Sequence, residues 1–442
     1  LVKKNKILLA FYGDDFTGST DALEFISRAG AKTILFTETP TIEQLNAFPD
    51  LDAYGVAGKT RSLNPSAMEM ELIPAFEMMK SSAARHIHYK VCSTFDSSPT
   101  IGSIGKAIDC GATVFNNKTI PVLGGMPALG RYCLFGNLFA RMGIGSEGNI
   151  YRLDSHPSMS KHPVTPASES DLRLHLGQQT NKAIGLIDLL HLKMPIEMMN
   201  EKNQEEVVLI DTLYDDQLLK IGEWLDAQIT EGNPLFSVGS SGIEMALGMY
   251  WNKMKILTPV TEWKHPGKAS PLLVLSGSCS PVSAAQIAYA RAIGFEEVIL
   301  DAVKICNDNR VEEAVFEKIN YFLQQQKNVI VHTGEKQFQN LSSRILGMAM
   351  GTIASVAAEK SLVKRVVIAG GDTSSYAARA MQIEAVKMIA PLISGAPLCK
   401  AISKNKFING LEVNFKGGQV GSENYFALTL AAVPNPASGY NL

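Results

Sequence analysis

Again and again along this chain, a short apolar, β-branched run gives way to small polar residues and then to a segment with helical spacing. Few architectures accept such a pattern. Lys6–Tyr12, Lys32–Thr37, Tyr54–Ala57, His86–Val91 and Thr113–Asn116 read as strands. Helical patterns lie between them, such as Thr17–Ala29 closed by Gly30. Strand and helix in strict alternation imply an α/β protein with a largely parallel sheet covered on both faces.

With 442 residues the chain exceeds the size at which one hydrophobic core stops growing. Two domains are therefore expected, each a largely parallel sheet flanked by helices, with a binding cleft between them. The segment Gly124–Pro166, rich in Gly, Pro, Ser and His, reads as long functional loops around one helix. A strand at Glu206–Leu213, a helix at Asp215–Ile229 and a strand, turn and helix over Pro234–Tyr250 complete the first domain, residues 1–254. Residues 255–270 carry prolines and lysines with little periodicity, which suits a linker. Residues 271–442 then repeat the alternation: strands at Leu272–Leu275, Glu297–Asp301, Asn328–His332 and Arg365–Ala369, and helices from Pro281, through Gln324 and over Ser342–Leu362.

The charges nearly cancel, 41 Lys+Arg against 43 Asp+Glu, so no sequence-wide field attracts nucleic acid. Small molecules are the expected partners. The six cysteines form no Cys-x-x-Cys pair, and reduced thiols suit a cytoplasmic protein. The run Ile7–Tyr12 is cut short by Asp14 and Asp15, which argues against an export signal. Ile345–Ala358 holds Gly, Thr and Ser between Arg344 and Glu359, so no membrane association is expected.

Three segments share one design, an apolar strand, small polar residues and a helix start. In Tyr12-Gly-Asp-Asp-Phe-Thr-Gly-Ser-Thr-Asp21, adjacent carboxylates sit on a turn that faces the ligand crevice of a parallel sheet. Asp15 is the candidate for accepting a hydroxyl proton, while Asp14 or Asp21 reads as the cap of the next helix. In Leu275-Ser-Gly-Ser-Cys-Ser-Pro281, Ser280 can cap a helix that starts at Pro281, and Ser276, Ser278 and Ser280 offer donors at its positive end. Ala369-Gly-Gly-Asp-Thr-Ser-Ser375 repeats the arrangement through Gly370, Gly371, Asp372 and Thr373. Two such loops in one domain point to bound phosphate.

Other signals divide into candidates and decoys. Arg61, just past a strand, can grip a carboxylate or stand as a solvated charge, and Lys90 occupies the equivalent place one strand later. Both converge with Asp15 if their strands are neighbours. Gly58-Lys59-Thr60 imitates the end of a phosphate-binding Walker loop, but Ala53 stands where its first glycine is required. Gly143-Ile-Gly-Ser-Glu-Gly148 spells a dinucleotide fingerprint yet follows a helical pattern instead of a strand. His86 and His88 share one face of a strand and read as packing residues, with no zinc-ligand spacing around them. His156 and His162 bracket a Pro/Ser loop, where hydrogen bonding within the loop is expected and a place at the border of the substrate is the alternative.

At these loops the chain resembles the four-carbon acid-sugar kinase family, from about Lys6 to Phe426. Gly13-Asp-Asp-Phe-Thr-Gly18, Lys59-Thr-Arg-Ser62, Pro127-Ala-Leu-Gly-Arg131, Ser276-Gly-Ser-Cys-Ser280 and Gly370-Gly-Asp-Thr-Ser374 follow one another in the family's order. The resemblance implies a kinase with an N-terminal sugar-acid domain and a C-terminal nucleotide domain, using ATP and Mg2+. It assigns Asp14, Asp15, Arg61, Lys90, Ser93, Thr94 and Arg131 to the acid sugar. It assigns Ser276, Ser278, Ser280, Gly370, Gly371, Asp372, Thr373, Gly417 and Gly418 to the nucleotide.

Two departures stand out. Lys90-Val-Cys-Ser-Thr-Phe-Asp-Ser97 carries Cys92 where the family has an acid and Asp96 where it has an arginine, and the late Lys-Ser-Gly-Asn-Phe-Gly element reads Lys416-Gly-Gly-Gln-Val-Gly421. Such a pocket resembles the branch acting on branched or 3-oxo sugar acids, including 3-oxo-isoapionate kinases. The expected reaction is phosphoryl transfer from ATP to a hydroxyl of a short sugar acid. The rivals are a nicotinamide-dependent oxidoreductase and a non-catalytic sugar-acid binder. No metal-ligating side chains are singled out and no nucleic-acid partner is expected, and a homodimer is possible.

Overall fold

The structure, a computed structural model, describes residues 7–142, 148–162, 164–202, 204–230, 232–334 and 341–433. The fingerprint decoy at 143–148 lies outside them except for Gly148, and the segment before it, Asn137–Arg141, is a strand and not the expected helical pattern. The described residues divide into two compact units: 7–33 together with 39–260, and 34–38 together with 261–433.

Chain order in the first stretch is β1 (Leu9–Gly13), α1 (Phe16–Arg28), β2 (Thr33–Phe36), α2 (Ile42–Asn46), β3 (Ala53–Ala57), α3 (Pro65–Ser81), β4 (His86–Lys90), α4 (Ile104–Phe115) and β5 (Ile120–Leu123). There follow β6 (Arg131–Leu134), β7 (Asn137–Arg141), β8 (Ile150–Arg152), α5 (Leu172–Gly177), β9 (Ile184–Ile187), α6 (Ile196–Lys202), β10 (Val207–Ile210), α7 (Asp215–Ala227), β11 (Leu235–Gly239) and α8 (Gly242–Lys253). Apart from β2, counted with the second unit from Ile34 onward, these elements build the first unit. Its sheet runs β3-β1-β4-β11-β5-β10-β9, with every neighbouring pair parallel. β1, β3, β4 and β11 are buried along their whole length, as expected of parallel strands covered on both faces.

Two expectations for this unit are corrected. Thr113–Asn116 is the end of α4 and its cap, not a strand: Ile104, Ala107, Ile108, Gly111 and Phe115 form its buried stripe, and Asn116 stops it in the left-handed conformation at φ 51°. The strand lies a few residues later, at β5. The stretch 124–166 does not surround an α-helix; its described residues hold the antiparallel sheet β6-β7-β8 and single 3₁₀ turns at Pro127–Leu129 and Leu153–Ser155.

The second unit comprises β12 (Leu272–Ser276), α9 (Pro281–Ala292), β13 (Glu296–Ile299), α10 (Ala302–Asp308), α11 (Glu313–Gln324), β14 (Val329–His332), α12 (Ser343–Glu359) and β15 (Arg365–Ala369). It continues with α13 (Gly371–Ala380), β16 (Ala385–Ile393), β17 (Ala396–Ile402), β18 (Glu412–Lys416) and α14 (Tyr425–Ala431). Strands β13-β14-β12-β15-β18 are parallel, and β17, β16 and β2 extend the sheet antiparallel. Leu272, Val274, Ile287, Val367, Tyr425 and Phe426 form the core between this sheet and α9 and α14. The single helix expected up to Gln324 is two, α10 and α11, because Asn309 turns left-handed at φ 52°. Among the described residues, no helix is long and apolar enough to cross a membrane.

Candidate functional site

In the first unit, parallel register places Gly13 of β1 opposite Ala57 of β3 and Lys90 of β4. The turns carrying Asp14 and Asp15, Arg61, and the end of β4 therefore open at one edge of the sheet. Arg61 donates from Nε and Nη2 to the two oxygens of Asp14, at 3.0 and 2.7 Å, and from Nη1 to Asp15 Oδ2 at 2.7 Å. Burial opposes the guanidinium's charge, but Asp14 and Asp15 outweigh it and hold its pKa above the ordinary value. The helix cap is Asp15 itself, not Asp14 or Asp21: its carboxylate accepts from Gly18 N at 2.6 Å and Thr17 Oγ1 at 3.0 Å.

Lys90 is 1% exposed, with Nζ 3.3 Å from Asp21 Oδ2 and donating to Val91 O at 3.0 Å. Burial opposes its charge and Asp21, Asp14 and Glu244 outweigh it, so its pKa is raised. Asp21 is set by Ser241 Oγ, 2.6 Å away at the start of α8. One face of β4 thus presents His86, His88 and Lys90 to acids on three packed helices: Asp226 of α7, Glu244 of α8 and Asp21 of α1. Both histidines are buried and hydrogen-bonded to these helix carboxylates.

Beyond β4, Thr94 Oγ1 lies 3.0 Å from Cys92 Sγ and donates to Asp96 Oδ1 at 2.8 Å. Burial, with Asp96 adding to it, pushes Cys92 up to about 11, so it is a neutral thiol near neutral pH. Ser93 Oγ accepts from Arg131 Nε at 3.2 Å, and Arg131 Nη1 donates to the carbonyls of Leu129 and Arg141. Ser93 and Arg131 are thereby drawn together, while the Thr94 hydroxyl is bonded to Cys92 and Asp96 instead. His156 Nδ1 accepts from Ser158 N and Met159 N, and burial followed by the charge of Arg131 lowers its pKa. His162 Nδ1 accepts from Thr165 N, an organiser of its own loop.

In the second unit, Ser276 of β12 pairs with Ala369 of β15, and Ala369 with Lys416 of β18. The two small-residue loops leave from that rung: Gly277 N bonds to Ala369 O at 3.0 Å and Gly370 N to Lys416 O at 2.9 Å. Ser280 caps α9 through Ser283 N and donates to Gly418 O at 2.6 Å, and Gly370, at φ 119°, precedes α13. A Cβ on Gly277 would come within 2.2 Å of Thr373 Oγ1, and one on Gly418 within 2.6 Å of Ser278 Oγ. Glycine is what lets these backbones approach each other.

Together the loops wall a cavity of ≈ 340 Å³ that Gly277, Ser278, Gly370, Gly371, Asp372, Thr373 and Gly418 line. Ser280 supports the wall, Gly417 adjoins it, and Ser276 lies behind it, wholly buried. The N-termini of α9 and α13 direct their partial positive ends here. Thr333 and Ser343 also line the cavity. Sequence reasoning passed over both, although each directly follows a strand or opens a helix.

The N-terminal part of the chain, residues 9–247, matches the model of a sugar-binding N-terminal domain, and residues 273–426 match that of a nucleotide-binding C-terminal domain. The chain is 39% identical to a 3-oxo-isoapionate kinase of Paraburkholderia graminis over 96% of its own length and 94% of that protein's. It is 25% identical to a 3-oxo-tetronate kinase of Pectobacterium atrosepticum, over 95% and 98% of the two lengths. A Salmonella typhimurium protein of known structure shares the fold at a TM-score of 0.77 and 22% identity, covering 96% of this chain and 98% of that one. Both domain models in order, and relatives aligned along nearly their whole length, establish that the chain belongs to the four-carbon acid-sugar kinase family.

Proposed function

We propose that this chain transfers the terminal phosphoryl group of ATP to a hydroxyl of a small sugar acid, a four-carbon or branched 3-oxo acid. The observation that carries the reading is the cavity bounded by two glycine and serine loops at paired helix N-termini, a geometry suited to polyphosphate. The 39% identical relative, a 3-oxo-isoapionate kinase, supports the branched 3-oxo acid within that class.

Residues 1–254 would bind the acid and residues 271–442 the nucleotide, with 255–270 joining them. Arg61 and Lys90 are the groups for the substrate carboxylate, and Asp14 keeps the Arg61 fork aimed. Asp15 would orient the accepting hydroxyl or take its proton. Ser93, Thr94 and Arg131 would hold the remaining polar groups of the acid. Ser278, Gly370 to Thr373 and Gly418 would meet the phosphates with backbone N–H groups and hydroxyls. Phosphoryl transfer asks the protein mainly for alignment and charge stabilisation, which such groups supply.

Magnesium is commonly held by one or two carboxylates plus the substrate's phosphates. Among the described residues, no cluster of three His, Cys, Asp or Glu side chains could hold a metal ion alone. Asp372, lining the cavity, would hold Mg2+ there, where the ion neutralises phosphate charge.

A coupled assay of ADP release over four-carbon, branched and 3-oxo sugar acids tests the reading. ATP-dependent turnover with at least one of them is expected. ATP binding without turnover on any of them would leave a sugar-acid binder instead.

A further inference from the structure

None of the described residues lining the nucleotide cavity is cationic, and one, Asp372, is acidic. A polyphosphate entering it meets dipoles and hydroxyls but no full positive charge from the wall. The rung from which both loops leave does carry one. Lys416 shares it with Ala369 and Ser276, and side chains on one rung of parallel strands point to one face. Here that face is covered by α9 and α14.

Lys416 is wholly buried, and its Nζ has no hydrogen-bond partner. Its one contact of note is the Tyr425 ring, 5.4 Å from Nζ to the centroid. Of the neighbouring polar atoms, Ser276 Oγ on the same rung and Gln286 Oε1 on α9 are likewise buried without a partner, whereas the others are engaged elsewhere. Tyr425 donates its hydroxyl to Asn414, Gln286 of α9 donates to the carbonyls of Val420, Gly421 and Ser422, and Glu412, at the far end of β18, is bonded to Arg365. Among the described residues no charged group acts on Lys416, and burial alone lowers its pKa to about 7. An ammonium kept from water without an acceptor is costly, so a lysine in this position is one that awaits an anion.

Resting on the nucleotide reading above, we propose that Lys416 is a phosphate-binding residue, supplying from beneath the two loops the positive charge that their own residues lack. The nucleotide's negative charge then favours the ammonium. Lys416 takes a proton from solvent as ATP binds, and the N–H bond formed is the only covalent change. Linkage sets the sign: the free protein has lost this proton above about pH 7 and the complex retains it, so affinity falls as pH rises through that range.

Calorimetric titration with ATP at about pH 8, without acid substrate and in two buffers of different ionisation enthalpy, reads the proton directly. The expected result is uptake approaching one proton per ATP in the wild type, and in Lys416→Met no uptake and an affinity weaker by roughly tenfold or more. Equal proton uptake and equal affinity in the two proteins would overturn the proposal. So would a wild-type affinity that stays flat across that pH range, a measurement that needs no variant. No ATP binding by the wild type at all would instead bring down the nucleotide reading on which the proposal stands.

Discussion

Arg61 makes a two-toothed contact with Asp14 and a third bond to Asp15, so its guanidinium is oriented before any ligand arrives. A group already held loses little freedom when a carboxylate docks on its remaining surface. Arg61→Ala should raise KM for the sugar acid by roughly 10–100-fold, the worth of hydrogen bonds to a charged group, and leave the Kd for ATP unchanged. Steady-state kinetics paired with ATP calorimetry would check both halves. Asp15 invites a cleaner substitution. Asparagine caps a helix about as well as aspartate, although its Nδ2 would face Arg61 Nη1 where Asp15 Oδ2 now accepts, so Asp15→Asn should lower the melting temperature only modestly while lowering kcat by roughly 10²–10⁴-fold. A kcat equal to wild type, with the fold intact by circular dichroism, would exclude Asp15 from the chemistry. Asp14, Asp15, Arg61 and Lys90 were readable from letters because each stands where a strand ends. The isolation of Lys416 was not, because a missing partner has no letter.

Among the elements, the strand, turn and helix unit is the device repeated in both units, and its tolerance is set where two backbones nearly touch. Gly277→Ala places a methyl group 2.2 Å from Thr373 Oγ1. Thr373 is buried and β-branched, so it cannot swing freely aside. The substitution should weaken ATP binding at least tenfold, measured by calorimetry, while the sugar-acid KM holds. The same elements show where sequence periodicity fails. Thr113-Val-Phe115 has β-branched and aromatic letters, yet Phe115 extends the apolar stripe of α4 one turn further. Pro121 disguised β5, since proline is rare inside central strands. It is tolerated because β11 joins β5 only at Val122 and Leu123. The β16 and β17 hairpin went unread even though Ser394-Gly395 marks its turn, with Gly395 at φ 80°. Its long strands carry a bulged register, which blurs the alternation that identifies a strand.

For the whole molecule, two compact units imply that unfolding is not a single two-state event. The second unit has its own critical residue. Arg365 is wholly buried, bonded through Nε and Nη2 to Glu412, and it also donates to the carbonyls of Gly267, Thr429 and Leu430. Removing one partner of such a pair leaves an uncompensated buried charge, at about 3–5 kcal/mol. Arg365→Met should therefore lower one calorimetric melting transition, the same one that added ATP raises by binding the folded state. A drop confined to the other transition would show that the nucleotide had been given to the wrong unit. The clasp has a further consequence. Gly267 lies just ahead of β12 and Leu430 lies in α14, so a single side chain ties the approach to the first parallel strand of this unit to the helix at the end of its described residues. A stretch excised from residue 261 onward would keep this clasp yet lose β2, which joins β16 from far earlier in the sequence, so this half of the molecule would survive transplantation only with that strand supplied beside it.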